Sequence, residues 1–220
     1  MILNSKPLLQ VAIDVLNIRA ALRILDEVYP FVDIVEVGTP LIIEEGLAAL
    51  EALKARYPEK KYLADLKIMD AGTIEASSGF SRGADIVTVL ATADDRTIRA
   101  AVEVAKVSGG QIMADMINVS DPAKRAKELE MLRVPIICLH TAFDCPGSVE
   151  HTMNQLRIVR PTVHCQLAVA GGLTLETVQT VASLAVDILV VGSAITNQPN
   201  PHDAACLISK KLEEWRSCAR

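Results

Sequence analysis

The sequence predicts an α/β protein, a (β/α)8 barrel formed as a single domain over residues 1–220. Three observations carry that reading. About eight short apolar runs recur along the chain, each is followed by a stretch of helical periodicity, and five of the runs carry an ionisable residue at or near their C-terminal end. The runs are Leu8–Asp14, Asp33–Gly38, Tyr62–Lys67, Asp85–Leu90, Gln111–Met116, Ile136–His140, Cys165–Ala170 and Asp187–Gly192. Ile18, Ala21, Leu22, Leu25 and Tyr29 follow the spacing of a one-sided helix, and Ile208, Leu212 and Trp215 do the same near the end. Asp121-Pro122 and Asn200-Pro201 each place a capping side chain before a proline, which is favourable at the first helical position, so two helix starts are fixed. Strict alternation implies parallel strands joined by right-handed crossovers. Eight units of about 27 residues match a compact closed barrel, with a doubly wound open sheet as the alternative. No composition shift or linker divides the chain.

Composition narrows the function classes. Half of the residues are hydrophobic and 22% are charged, enough for a sizeable core and against disorder. No apolar run approaches the roughly 18 residues of a membrane span, and Met1 to Pro7 lacks the apolar region of a signal peptide, so a soluble, cytoplasmic protein is expected. Cys138, Cys145, Cys165, Cys206 and Cys218 are odd in number and widely spaced, which suits a reducing compartment rather than a disulfide framework or a zinc site. The net charge of −5, with scattered Lys and Arg, gives no footprint for nucleic acid.

Strand parity gathers the polar residues. Side chains alternate across a strand, so one parity faces the barrel interior. Gln10, Ala12 and Asp14 share a face of the first strand, as do Ile34 and Glu36 in the second and Leu63, Asp65 and Lys67 in the third. Met113 joins Asp115 in the fifth, and Cys138 joins His140 in the sixth. A lone acid at a strand end often serves as a helix cap or turn residue. Six ionisable groups closing five strands on one parity need a common explanation, because a charge in an apolar strand is costly unless paired. Barrel active sites occupy that rim. Cys138 reads as a small buried hydrophobe.

The last two strands end in glycines, Gly171-Gly172 after the seventh and Gly192 before Ser193 after the eighth. Loops at these places in many barrels cradle a phosphate through backbone amides and a helix N-terminus. A Gly-Gly pair also serves a tight turn that needs positive φ. No arginine follows Gly192, so Ser193 and backbone amides would supply most of the grip.

With these residues in view, the chain resembles the orotidine-5′-monophosphate decarboxylase superfamily, and within it the 3-hexulose-6-phosphate synthases. The matching segments include Gln10-Val11-Ala12-Ile13-Asp14, Val32 to Pro40, Leu63 to Gly72 with its Asp-x-Lys-x-x-Asp core, Asp85 to Leu90, His140-Thr141, Val169 to Gly172 and Val191 to Thr196. The resemblance implies a homodimer with shared active sites, in which Asp70 reaches into the neighbour's site. It implies Glu36 and Asp65 as ligands of Mg²⁺, with Asp14, Lys67, Asp115 and His140 lining a sugar-phosphate pocket. Oxygen ligands suit that hard cation. The implied reaction is a reversible aldol condensation of formaldehyde with D-ribulose 5-phosphate. The related 3-keto-L-gulonate-6-phosphate decarboxylases tend to carry Glu where this chain has Asp115, and Arg where it has Phe143 and Ser193.

A metal-assisted enediolate route follows from that resemblance. His140 is the expected base for C1 of the sugar phosphate, since imidazole has a suitable intrinsic pKa, with Asp65 as the alternative. Lys67 would stabilise the developing negative charge. A Schiff base at Lys67 is the competing scheme, disfavoured by Asp65 and Asp70 at close spacing, which favour the protonated ammonium. A non-catalytic sugar-phosphate-binding barrel and a purely structural oligomer are the readings from other classes.

Overall fold

The structure, a computed structural model, describes residues 7–145 and 149–218. Met1 to Lys6 and the side chain of Cys218 lie outside the described residues. Eight parallel strands close into a barrel in sequence order: β1 (Leu8–Ile13), β2 (Ile34–Val37), β3 (Lys61–Ile68), β4 (Ile86–Leu90), β5 (Gln111–Asp115), β6 (Ile136–His140), β7 (Gln166–Ala170) and β8 (Ile188–Val191). The closing pair is β1 with β8, Leu8 opposite Ile188. All eight runs are strands, and the open sheet is excluded.

The helices surround the sheet. They are α1 (Ile18–Val28), α2 (Thr39–Glu45), α3 (Ala48–Arg56), α4 (Gly72–Ser81), α5 (Asp95–Ser108), α6 (Pro122–Met131), α7 (Val149–Val159), α8 (Val178–Ala182), α9 (Ser193–Thr196) and α10 (Pro201–Cys218). Both proline starts hold: the Asp121 carboxylate accepts from the Lys124 amide at 3.0 Å, and the Asn200 side chain accepts from the Asp203 amide at 3.1 Å. The first helix is shorter than its apolar spacing suggests. Tyr29 falls in a 3-10 turn, where Pro30 cannot donate to a continuing α-helix. No helix among the described residues is long and apolar enough to cross a membrane.

Two apolar layers follow from strand parity. Leu9, Val11, Val35, Val37, Ala64 and their counterparts pack outward against the helices, while Ala12, Ile34, Leu63, Ile86, Met113, Ile136, Ala168 and Ile188 fill the barrel. The interior is therefore a packed floor, and inward-facing polar residues stand above it.

The opposite end carries a repeated brace. Asp33, Asp85 and Asp187 fall in the similar triplets Val-Asp-Ile, Ala-Asp-Ile and Val-Asp-Ile and immediately precede β2, β4 and β8. Each amide donates to a carbonyl of the preceding strand, and each carboxylate accepts the amide of that same residue: Leu9 at 2.9 Å, Tyr62 at 2.8 Å and Leu167 at 2.8 Å. The apolar runs read from the sequence include these acids in the strands; they instead stand just before them and satisfy the amide of the second residue of the neighbouring strand. Asp85 also holds Lys54 at 3.0 Å. Asp85→Ala leaves the buried Tyr62 amide without its acceptor and should cost about 1–3 kcal/mol in urea unfolding. The arrangement at the C-terminal mouth should stay unchanged, since the brace lies at the opposite end of the barrel.

Candidate active site

The polar residues converge at the C-terminal mouth. Lys67 is the hub: its ammonium lies 2.6 Å from Asp65 Oδ2 and 3.3 Å from Asp115 Oδ2. Burial works against this ammonium, but the charges of Asp65 and Asp115 outweigh it and hold the Lys67 pKa well above its usual value. It remains protonated, which makes it a poor Schiff-base nucleophile.

Two carboxylates are tied in different ways. Asp65 is 5% exposed, and its Oδ2 accepts from Thr39 Oγ1 at 2.9 Å as well as from Lys67, while Oδ1 accepts from Thr88 Oγ1 at 2.8 Å. Asp115 accepts from the Ile117 amide at 2.9 Å and pairs with His140 Nδ1 at 2.9 Å. Burial would raise the Asp115 pKa, yet the hydrogen bond and charge of His140, with Lys67, bring it below the usual carboxylate range. With Nδ1 committed to Asp115, Nε2 is the His140 nitrogen that can exchange a proton. Asp115 was expected only to line the pocket; it also orients the imidazole.

Glu36 and Asp14 complete an acidic arc. Glu36 Oε2 accepts from Gln10 Nε2 at 2.5 Å, and Gln10 Oε1 is the one buried side-chain polar atom without a partner among the described residues. Burial, then the charges of Asp65 and Asp14, raises the Glu36 carboxyl well above the ordinary range. Burial and Asp65 raise Asp14 too. Gly38 makes this arc compact, because a Cβ there would collide with the Asp14 carboxylate. Cys138 sits buried in the floor, as expected of a small hydrophobe, with its thiol pushed up by burial and by Asp115.

Gly171 and Gly172 follow β7 with φ of +95° and +68°, and a Cβ on Gly171 would strike the Thr141 carbonyl oxygen. The turn itself therefore requires glycine. Gly192 opens α9, where its carbonyl accepts from Ile195 at 2.8 Å; the Ser193 and Ala194 amides, first in that turn, have no carbonyl within the helix to bond. Asp70 lies apart from the cluster within this chain. It is exposed after β3 and accepts from the Ala71 amide, with exposed Met69 and Ile74 nearby in sequence. Thr39, Thr88 and Gln10 were not among the candidate residues. Parity alone could have flagged Thr88 and Gln10, since both face inward; nothing in the sequence marks Thr39.

The match to known proteins is extensive. Residues 7–208 match the model of the orotidine 5′-phosphate decarboxylase / HUMPS family. The chain belongs to this family. A curated relative from Bacillus subtilis (strain 168), named 3-hexulose-6-phosphate synthase, is 42% identical over 198 residues, 90% of this chain and 94% of the relative. A crystal structure of 3-hexulose-6-phosphate synthase from Salmonella typhimurium superposes with a TM-score of 0.89 at 39% identity, covering 94% of this chain and 99% of that one. One of 3-keto-L-gulonate-6-phosphate decarboxylase from Vibrio cholerae gives 0.85 at 26% identity, covering 96% and 99%.

The acidic arc has a consequence for stability. Glu36 holds its proton to higher pH in the folded chain than in the unfolded one, so the folded state binds more protons across that interval. Stability should therefore fall as pH rises from the ordinary carboxylate range through the raised Glu36 value. Glu36→Gln should flatten that fall and stabilise the chain at neutral pH. Urea midpoints measured across pH for both proteins check this.

Proposed function

We propose that the chain is a 3-hexulose-6-phosphate synthase, catalysing the reversible aldol condensation of formaldehyde with D-ribulose 5-phosphate. The observation that carries this reading is the His140–Asp115 pair set beside the Lys67 ammonium, in a chain with synthase-named relatives across nearly its whole length. A base, a fixed positive charge and an acidic rim are what enolisation beside a carbonyl requires.

In this mechanism, His140 Nε2 removes a proton from C1 of ribulose 5-phosphate, and Asp115 stabilises the resulting imidazolium. Electrons of the C–H bond move into the carbonyl to give an enediolate, whose oxygen is stabilised by Lys67. C1 then attacks the formaldehyde carbon to form the new C–C bond. The former aldehyde oxygen takes the proton back from His140, restoring the base. Gly171, Gly172, Gly192 and Ser193 bind the phosphate, mainly through backbone amides, and Asp14 binds sugar hydroxyls.

The donor set suits Mg²⁺. Four carboxyl groups, Asp14, Glu36, Asp65 and Asp115, face one ammonium and one imidazole, and the buried Gln10 Oε1 has no partner. All the acidic donors are oxygens, as a hard cation prefers. No three His, Cys, Asp or Glu side chains among the described residues form a ready-made cage. Glu36 and Asp65 would hold the ion, leaving other positions to substrate and water. Bound there, Mg²⁺ supplies Lewis-acid stabilisation of negative charge.

The chain acts as a homodimer, with Asp70 completing the partner's site. Exposure of Asp70 between Met69, 52% exposed, and the 70% exposed Ile74 supports that reading. Decarboxylation of 3-keto-L-gulonate 6-phosphate is the second reading, favoured by the likeness to the Vibrio cholerae structure. Asp115, Phe143 and Ser193 weigh against it, and the shared enediolate leaves room for a side activity.

Assay of the purified protein with both substrate sets decides between them, the synthase rate being expected to dominate and to vanish on EDTA treatment. His140→Ala should lower kcat by about 10²–10⁴-fold and abolish C1 proton exchange into deuterated water, with ribulose 5-phosphate binding kept. Undiminished exchange would move the base elsewhere. Asp70→Ala and Lys67→Ala should each be inactive, yet their mixed dimers should recover activity at one site of each pair. Proven heterodimers without activity would exclude sharing.

A further inference from the structure

We infer that Thr88 is a positioning residue of the active site, its single hydroxyl locking Asp65 and Lys67 into their working geometry. The inference rests on the synthase reading for its substrates, but the geometry behind it does not. In the β3–β4 ladder Ala64 pairs with Val87 and Ile68 with Val89, so four steps along β3 run against two along β4. Two extra residues are thus inserted into β3, and Lys67 takes a left-handed backbone conformation with φ of +47°. That conformation is unusual for a residue with a side chain and needs its surroundings to hold it.

The bulge takes the Lys67 amide off the regular ladder. Thr88, 3% exposed and inward-facing on β4, accepts that amide at 2.9 Å. The same hydroxyl donates to Asp65 Oδ1 at 2.8 Å. One oxygen therefore fixes the backbone of the ammonium-bearing residue and the rotamer of the carboxylate it pairs with. Only a hydroxyl side chain can accept and donate from this spot, and the β-branch of threonine restricts χ1 so that both bonds form together. Asp65 consequently presents its other oxygen to Lys67 and Thr39. Thr88 has no role in proton transfer, and it acts through the two residues it holds.

The test compares Thr88→Val, which keeps the shape and removes both hydrogen bonds, with Thr88→Ser, which restores them. Loss of an outer partner of a site residue typically costs 10–100-fold in activity, so Thr88→Val should lower kcat by about that factor while KM for ribulose 5-phosphate changes less than about threefold. Thr88→Ser should recover kcat to within about threefold of wild type. In the metal-free protein, exchange of the Lys67 amide proton followed by NMR should be slow in wild type and serine variant and at least about tenfold faster in the valine variant. If the valine variant does not fold, Thr88→Cys is read in its place, since its thiol keeps the volume but bonds weakly. Wild-type kcat in the valine or cysteine variant, or failure of serine to rescue, overturns the inference. A wild-type protein without synthase activity instead fails the synthase reading, and the tether is then judged on 3-keto-L-gulonate 6-phosphate turnover and on Lys67 amide exchange.

Discussion

An excess of carboxylates over cations at one end of an apolar barrel is the constraint that the rest of the site answers. Like charges about 4 Å apart repel by roughly 4 kcal/mol at an effective dielectric constant near 20, so an acidic cluster of this kind disperses unless something fixes it. Lys67 offsets Asp65 and Asp115 directly. Neutral donors do the remaining work on geometry: Thr39 and Thr88 for Asp65, the Ile117 amide for Asp115, and Gln10 for Glu36. Glu36 and Asp14 lack a direct cationic partner, and burial, followed by the charges of neighbouring carboxylates, raises the proton affinity of both. It is this deficit that the Mg²⁺ proposed above would offset.

Stability and chemistry are divided along the barrel axis. At the lower end, Asp33, Asp85 and Asp187 spend their carboxylates on neighbouring backbone amides, which ties three strand pairs together without strain. At the upper end, acids of the same type are held by side chains and by a left-handed residue in a bulge. Identical residue types thus brace the fold at one end and load it at the other. Position on the strand separates the two uses, because parallel strands direct all their C-terminal ends to one rim.

Periodicity made most of this legible before any coordinates. Eight runs became eight strands, and parity alone placed Asp14, Glu36, Asp65, Lys67, Asp115 and His140 at one mouth. The bulge was not legible, because Leu63, Asp65 and Lys67 alternate through it just as in a regular strand, and the two added residues preserve the parity. Thr88 gave only the weak signal of its inward parity, since threonine is common in strands for its branching alone. Asp70 shows the limit of spacing as evidence. Three residues from Lys67 in sequence, it lies beyond the end of β3 at Ile68, exposed in the short connection to α4 and apart from the cluster.

Asp115 is where this site's chemistry is most finely set. Its carboxylate is shared between His140 and Lys67 while the Ile117 amide anchors it to the wall of the mouth. A glutamate there, as the related decarboxylases tend to carry, would extend the carboxylate by about one C–C bond, roughly 1.5 Å, into the space above the floor. A decarboxylase begins with its departing group already attached to the sugar. The synthase must instead admit a second small molecule beside C1, so a shorter arm that stays against the wall leaves that volume open while still orienting the imidazole. On this argument the shorter arm at position 115 is one of three differences, with Phe143 and Ser193, that suit the synthase reading proposed above.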